Sequence, residues 1–429
     1  MRTLIRRSST VGFVPVLVVV QAFCLLQRGT PWLGEWDWTA DWAGGVTVVT
    51  GPLLAGCTAF EVLRWRTAAT WSLLRQTPRG GHAAWLCALP VLVIGVVVHV
   101  VATASVLVAT AMAGGEPRID TGFVLVVVLP VVALAAAASI GAATAACWRS
   151  LLAVPLAAAI VFGLTAFPDR LMLPDVLKVG GTTGSLVGLT WDSRQQAAAL
   201  AVLVMVSVFA VVVMHARDAV RRGPASRSIV AASAVALVAA VVLAQSVPSS
   251  RLRPSGAPIR YACTAASGTT VCLASQTSRQ LAWLAAQIIR QSEPLAAIGV
   301  RLPRRYQQVV PYRRQPDGVA PILLEPDSIN ARRGDARRVP DLLAMPALCA
   351  ADTGEVPPPD EVFVARSAIS AWLSVRNGLS ETSDYRVEVF GEWLGQTAPD
   401  QQAWIRTTYA QLTACAYADV RLPESVVLP

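Results

Sequence analysis

The sequence predicts an all-α polytopic membrane bundle of about seven transmembrane helices, N-in/C-out, plus a small α+β disulfide-containing extracytoplasmic domain. Three observations predict this fold. Hydrophobic residues make up 54% of the 429 residues and charged residues only 15%, whereas soluble domains carry about 25% charged residues. Apolar runs of membrane-spanning length fill residues 1–247. Four of the eight cysteines lie in the more polar remainder.

Seven apolar stretches approach or exceed the roughly 20 residues that a helix needs to cross a hydrocarbon core of about 30 Å. The second is the weakest because Gly51, Pro52 and Gly56 interrupt it, so packed neighbours must satisfy the freed backbone groups. Residues 1–247 are therefore predicted to form a transmembrane domain. The predicted spans are about 11–27, 45–61, 83–107, 123–147, 150–167, 197–215 and 229–247.

The basic residues of the short loops predict the orientation. With the N-terminus inside, the cytoplasmic segments contain twelve Lys and Arg residues and the opposite loops contain five. Basic residues concentrate on the cytoplasmic side, so an odd number of spans places everything beyond about residue 247 outside the cytoplasm.

The predicted spans contain almost no ionisable side chains. No Asp, Glu, Lys or Arg falls within the core of a predicted span, which disfavours a proton- or sodium-coupled carrier, because such proteins use intramembrane acids as relays or ligands. His99 lies well inside the third span. We expect it to be a hydrogen-bonded residue of helix packing rather than a switch.

The C-terminal part is predicted to form a linker at 248–258 and an α+β domain at 259–429, with helices near 276–299, 359–378 and 399–414. Its cysteines are Cys263, Cys272, Cys349 and Cys415. An even number outside the reducing compartment predicts disulfides. Three pairings are open, and the Ser-Gly turn between two short strands favours Cys263–Cys272, which leaves Cys349–Cys415. A zinc site is the alternative, but no CxxC pair is present.

The residue inventory argues against an enzyme and predicts no cofactor or metal. Residues 259–429 contain no histidine and no lysine, which excludes a Ser-His-Asp triad, a Ser-Lys dyad and a HExxH site within that domain. A pair of carboxylates of the glycosidase type stays open. The sole lysine, Lys178, has no glycine-rich loop before it, so the chain has no Walker A motif.

The net charge of +9 does not predict a nucleic-acid partner. Residues 1–247 hold 17 Lys and Arg against 10 Asp and Glu, so most of the excess lies in the short loops, where it sets topology. A nucleic-acid surface needs basic residues clustered on one exposed face.

One stretch carries a resemblance to a known family. WDWTADWAGGVTVVTGPLLAGCTAFEVLRWR at 36–66 is followed by the predicted cytoplasmic segment TAATWSLLRQTPRG at 67–80. Over about 30–228 the chain resembles integral membrane proteins of high-GC Gram-positive bacteria that belong to, or sit near, the type-2 ABC exporter permeases. The family core has six spans and ends inside, whereas this chain adds a seventh.

The resemblance implies a permease-like subunit that relies on a separate ATPase subunit, with two copies per functional unit. The basic stretch after the second span would be an amphipathic coupling helix that docks on the ATPase, flanked by Arg64, Arg66, Arg75 and Arg79. Plain positive-inside charge is the alternative for these arginines. The loop at 168–196 would hold re-entrant half-helices, and an ordinary outside loop is the alternative there.

Two functions are favoured by the sequence, and a membrane enzyme of unrecognised type, with carboxylates of the outside domain as its candidates, stays open as a third. The first is the membrane subunit of an ATP-driven exporter in the cell membrane, with the lipid bilayer, an ABC ATPase subunit and a second copy of the chain as expected partners. The alternative is a membrane-anchored envelope sensor or interaction protein whose extracytoplasmic domain binds a ligand or partner.

Overall fold

The computed structural model of the protein describes residues 10–27, 29–67, 83–115, 117, 119–167, 179–182, 184–218, 224–247, 250–310, 315–316, 318–323, 336–349, 352, 357–379 and 389–423. Arg75, Arg79 and residues 168–178 of the expected re-entrant loop lie outside these ranges. The chain divides into two compact units. Unit 1 comprises Met1–Gln27, Glu35–Thr182 and Leu189–Ser255, and unit 2 comprises Arg28–Gly34, Thr183–Gly188 and Gly256–Pro429.

Unit 1 consists mainly of long apolar helices. Five described stretches are long and apolar enough to cross a membrane, and two apolar helices are shorter. Each of the seven predicted spans coincides with one of these stretches. In chain order the α-helices in the described part of unit 1 are α1 (Thr10–Leu26), α2 (Trp36–Gly45), α3 (Thr47–Thr67), α4 (Ala83–Met112), α5 (Thr121–Cys147), α6 (Ala153–Ala166), α7 (Ser193–Asp218) and α8 (Pro224–Gln245).

The helical stretch that contains the second predicted span begins earlier than the sequence suggested. Apart from a break at Val46, the chain is helical from the start of α2 to the end of α3, and Trp36–Arg66 is one helical stretch of 31 residues that contains a segment apolar enough to cross a membrane. Helix α2 supplies the additional helical length. Pro52 lies inside α3, as Pro90 and Pro130 do in α4 and α5, which neighbouring helices make tolerable in a membrane.

Small side chains form the contact between α3, α5 and α6. Alanine supplies most of the buried cluster there, including Ala55, Ala142 and Ala157. At Gly141 a Cβ atom would stand 2.2 Å from the carbonyl oxygen of Ala55, so the two backbones touch at this crossing. Close approach through small residues is the usual way in which helices associate in lipid.

One strand of a short strand pair directly precedes α7 in the chain. Strand β1 (Leu189–Trp191) pairs in antiparallel register with β2 (Leu252–Pro254), with Thr190 opposite Arg253. Part of the segment predicted as a linker is therefore a strand of unit 1. The described part of the expected re-entrant loop contains β1 and no helix before α7.

Unit 2 contains a four-stranded sheet in the order β3-β4-β5-β6. Strands β3 (Tyr261–Ala266) and β4 (Thr269–Ala274) form an antiparallel hairpin, whereas β5 (Arg305–Gln308) and β6 (Ala320–Ile322) add in parallel. The hairpin turn places Ser267 and Gly268 at φ of 52° and 79°, as a two-residue turn of type I′ requires. Helix α9 (Leu281–Ala297) connects β4 to its parallel neighbour, as a parallel strand pair requires a crossover connection.

The other α-helices that the structure describes in unit 2 are α10 (Val339–Leu343), α11 (Asp360–Arg376), α12 (Gly391–Leu394) and α13 (Ala398–Thr413). Helices α9, α11 and α13 lie where the sequence placed helices. The core combines Tyr306 of the sheet with Leu284, Trp372 and Tyr409 of these helices. Large aromatic side chains thus fill the interior of unit 2.

Candidate functional site

Two of the four arginines expected to flank a coupling element, Arg64 and Arg66, lie at the end of α3. The Arg64 guanidinium contacts Glu61 at 3.2 Å and lies over the Trp65 ring. The Trp65 indole N–H donates to the same Glu61 oxygen at 2.8 Å. Glu61 is only 1% exposed, and Arg64 and Trp65 of the same helix donate to its carboxylate.

Arg66 joins the end of α3 to the end of α5. Its Nη1 donates to the carbonyl oxygens of Ala145 and Ala146, both at 2.9 Å. These carbonyls belong to the last turn of α5, which carries the partial negative charge of the helix and lacks partners within it. The C-terminal end of α3, after which residues 68–82 follow, is therefore bound to α5 as well.

Tryptophans of α2 attach this helix to other segments of unit 1. Their indole N–H groups donate to backbone carbonyl oxygens, as buried tryptophans commonly do. The three bonds are Trp36 to Gly115 at 2.9 Å, Trp38 to Thr182 at 3.2 Å and Trp42 to Leu25 at 3.2 Å.

Asp41 of α2 is the centre of a buried polar network. It is 1% exposed and accepts from the Thr182 backbone N–H at 2.7 Å and from Arg251 at 3.1 Å. Arg251 also donates to the Thr182 hydroxyl at 2.8 Å. A buried carboxylate is tolerable only when it is paired and hydrogen-bonded, and both conditions are met.

Glycines allow the segment 179–182 to lie against α2. A Cβ atom on Gly180 would stand 2.4 Å from the Asp41 carbonyl oxygen, and one on Gly44 would stand 2.6 Å from the carbonyl oxygen of Val179. Gly180 also has a φ of 126°, which only glycine adopts readily. The Asp41 network therefore depends on direct contact between two backbones.

A small polar cavity of about 20 Å³ adjoins this network. Asp41, Gln195, Gln196 and Arg251 contribute its polar wall, and Trp191 lies beside them. Gln195 and Gln196 are 1% and 3% exposed. Such a volume is enough for one water molecule or one hydroxyl group.

A larger cavity of about 300 Å³ is lined almost entirely by aliphatic side chains of α3, α5, α6, α7 and α8. Thr47 and Thr165 are the two lining residues with polar side chains. Their hydroxyls donate to the carbonyl oxygens of Gly44 at 2.7 Å and Val161 at 2.9 Å. The cavity thus offers an occupant an aliphatic surface and suits a hydrocarbon group.

His99 makes the contacts expected of a packing residue. It is 3% exposed, with Nδ1 at 3.3 Å from the Gln21 amide nitrogen and Nε2 at 3.5 Å from the Thr103 hydroxyl. Gln21 lies in α1, so the histidine links α1 to α4.

The cysteines of unit 2 lie at disulfide distance in the pairing that the sequence favoured, Cys263–Cys272 and Cys349–Cys415. The first pair joins opposite positions of the β3–β4 hairpin. The second closes a chain separation of 66 residues.

A polar cluster around the carboxylate of Asp352 lies next to the second disulfide. Asp352 is bound by Arg366 at 2.8 Å, by the Tyr417 hydroxyl and by the Cys349 backbone N–H at 2.9 Å. Burial alone would raise the pKa of Asp352, but these hydrogen bonds and the charge of Arg366 favour the carboxylate and lower it. Burial and the neighbouring carboxylate raise the pKa of Tyr417. Asp352, Arg366 and Tyr417 bind one another within the cluster, so the arrangement is that of a structural clasp.

The sequence prediction placed no acidic residue in the core of a span. The helical stretch Trp36–Arg66 also carries Asp37 and Asp41 in α2 and Glu61 toward the end of α3. The predicted span began at residue 45, so it excluded α2. Asp37 and Asp41 are four residues apart among tryptophans, and this spacing places both on one face of a helix.

Among the residues that the structure describes, no group of three or more His, Cys, Asp or Glu side chains could hold a metal ion. Comparison of the chain with models of known protein families, with curated proteins and with solved structures gives no match.

Proposed function

We propose that this chain is the membrane subunit of an ATP-driven exporter and that a separate subunit hydrolyses ATP. The observation that carries the proposal is the fixed end of α3, where Arg66 bonds to the last carbonyls of α5. The segment 67–80 that resembles a coupling helix follows directly. A force applied to that segment would reach α3 and α5 together.

The apolar cavity supports the same function. It lies among the helices α3, α5, α6, α7 and α8, and two of these are the helices that Arg66 joins. The cavity-lining residues of α3, Thr47, Val48 and Gly51, lie at the opposite end of the helix from Arg66. If α3 moves as a rigid body, movement at its Arg66 end changes the walls of the cavity. A subunit that moves an apolar cargo needs such a link between its motor contact and its binding space.

We further propose that all seven apolar segments cross the membrane, with unit 2 outside the cell. Helix α6 has 14 residues and is about 21 Å long at 1.5 Å per residue, so it needs flanking chain to complete a crossing of about 30 Å. The loop basic residues and the two cysteine pairs support this orientation. Segments 28–34 and 183–188 also belong to unit 2, and in this topology both are outside loops.

Association with an ATPase is the direct test. The chain would be expressed in its native host with an affinity tag, and co-purified proteins would be assayed for ATP hydrolysis and identified by mass spectrometry. We expect Arg75→Glu with Arg79→Glu to abolish the association. The matched control is Arg221→Glu with Arg222→Glu, which makes the same charge change in another cytoplasmic loop of the proposed topology.

Equal association of both variants would contradict a coupling role for residues 67–80. If no ATPase co-purifies with the wild-type chain, the exporter proposal fails, and the hypothesis of a sensor or interaction protein is favoured. The topology is tested separately by reporter fusions at the C-terminus, and a reporter that is active only in the cytosol would contradict it.

A further inference from the structure

The polar and the apolar cavity of unit 1 lie on successive turns of the same two helices. On α5, Leu129 lines the polar cavity and Ala133 the apolar one. On α7, Ala199 lines the polar cavity and Val202 the apolar one. Val179 lines both. The cavities are therefore neighbours that share one wall.

One lining residue of the polar cavity, Gln196, has an acceptor that lacks a donor among the described residues. The Gln196 side-chain nitrogen donates to the Gly122 carbonyl oxygen at 3.2 Å, which fixes the orientation of the amide. Gln196 Oε1 is buried and has no hydrogen-bond partner among the described residues. A buried polar atom without a partner is costly, so a donor that reaches this oxygen is favoured.

The charge around this oxygen restricts the donor. Asp41 and Arg251 pair with each other, so the described residues of the polar wall carry no net charge. A cationic or anionic head group would enter without a counter-ion, which is unfavourable in a buried site. The small volume of about 20 Å³ admits a group the size of a hydroxyl.

We propose that unit 1 binds an uncharged, single-chain amphiphile of the long-chain alcohol class. Its hydrocarbon chain occupies the apolar cavity, and its hydroxyl group passes Val179 and donates to Gln196 Oε1. The volume of about 300 Å³ lies at the lower end of the range of small-molecule sites, about 300 to 1,000 Å³, and accommodates one chain. The inference rests on the proposed function only in treating the bound molecule as cargo.

Binding is tested on the purified full-length chain in lipid nanodiscs with no ATPase present, so a failure of the ATPase association leaves this test intact. The probe is a twelve-carbon primary alcohol with a diazirine in its chain. After illumination we expect labelled peptides from α5, α7 and α8, and unlabelled 1-dodecanol should compete better than dodecane. Labelling confined to outward-facing residues such as Val204 and Val208 would overturn the proposal.

Filling the apolar cavity tests whether the hydrocarbon chain of the ligand binds there. Val206 and Val241 line the apolar cavity, whereas Val208 and Val242 are exposed on the same helices. We expect Val206→Phe to reduce labelling at least about fivefold, whereas Val208→Phe keeps it within about twofold. If Val206→Phe does not fold, Val241→Phe against Val242→Phe gives the same comparison on α8. Equal loss within a pair would overturn the proposal.

Removing the acceptor tests the head group. We expect Gln196→Met to lower the preference for 1-dodecanol over dodecane by about three- to tenfold, the effect of one hydrogen bond. The control is Gln21→Met, a buried glutamine that contacts His99 instead. An unchanged preference in Gln196→Met would mean that water satisfies Gln196 and that the apolar cavity binds hydrocarbon without recognising a hydroxyl group. That result would overturn the assignment of an alcohol.

Discussion

In unit 1 the contact between α3, α5 and α6 is built mostly from alanine and a glycine, whereas the interior of unit 2 is built around Trp372, Trp393 and Tyr409. Unit 2 also carries both disulfides. In unit 1, Asp41 is paired with Arg251, which lies outside the helices, and Arg66 bonds to the last turn of α5.

The difference follows from the solvent that each unit is expected to meet. Between helices in lipid there is no hydrophobic driving force, so close van der Waals contact through small residues stabilises the bundle. In water, burial of aromatic surface is the largest favourable contribution to folding, and a small domain gains further from disulfides. Added volume should therefore damage unit 1 most, and lost cross-links should damage unit 2 most.

The largest effect is expected from Gly141→Val in α5. The new side chain would start 2.2 Å from the Ala55 carbonyl oxygen, and a backbone cannot move aside as a side chain can. We expect unit 1 to lose more than about 5 kcal/mol of folding stability, the range of the most disruptive substitutions. Size-exclusion chromatography of the detergent-solubilised protein would show aggregated or absent material.

The matched control for this substitution is Gly163→Val in α6, where a Cβ atom meets nothing within 4 Å. We expect a monodisperse protein with a melting temperature close to that of the wild type. Similar damage from both variants would mean that the membrane helices resist valine in general, and the close crossing at Gly141 would not be what holds unit 1.

The two disulfides of unit 2 should differ in their effect. In the loop-closure account, removing Cys349–Cys415, which spans 66 residues, costs about 4 kcal/mol, and removing Cys263–Cys272, which spans 9, costs about 2.5 kcal/mol. Double alanine variants of the full-length protein would be compared by hydrogen exchange of the unit 2 amides in denaturant. Exchange in the helices of unit 1 should stay unchanged.

An equal loss for both cysteine pairs would contradict the loop-length explanation. A loss that spreads to α3 and α5 would contradict the separation of the chain into two units with different sources of stability.

Much of this architecture could be predicted from the sequence because its signals are local. Apolar length located the helices of unit 1, and the Ser-Gly turn that pairs Cys263 with Cys272 reads directly from the chain. Most of the candidate site could not be predicted, because it depends on residues far apart in sequence. Asp41 meets Arg251 across 210 positions, and Arg66 meets Ala145 across 79.

The acid sensitivity of unit 2 should depend on Asp352. Its pKa in the folded state is lowered, so its contribution is complete above the unfolded value of about 3.9 and is lost as the pH falls through the folded value. We expect Asp352→Asn to cost about 2 kcal/mol at pH 7. Denaturant unfolding monitored in unit 2 should show this difference shrinking below about pH 4, and a constant difference down to about pH 2 would contradict the proposed origin.

The smallest effect concerns Arg64 and Arg66 at the end of α3. Arg66→Gln removes two bonds to the last carbonyls of α5 and should cost unit 1 about 1 kcal/mol. Arg64→Gln breaks a partly exposed pair with Glu61 and should cost no more than about 0.5 kcal/mol. Thermal unfolding followed by size-exclusion chromatography would rank the two variants. Equal stability of both variants would mean that Arg66 does not join α3 to α5, and the force path assigned to the exporter subunit would then lack its first contact.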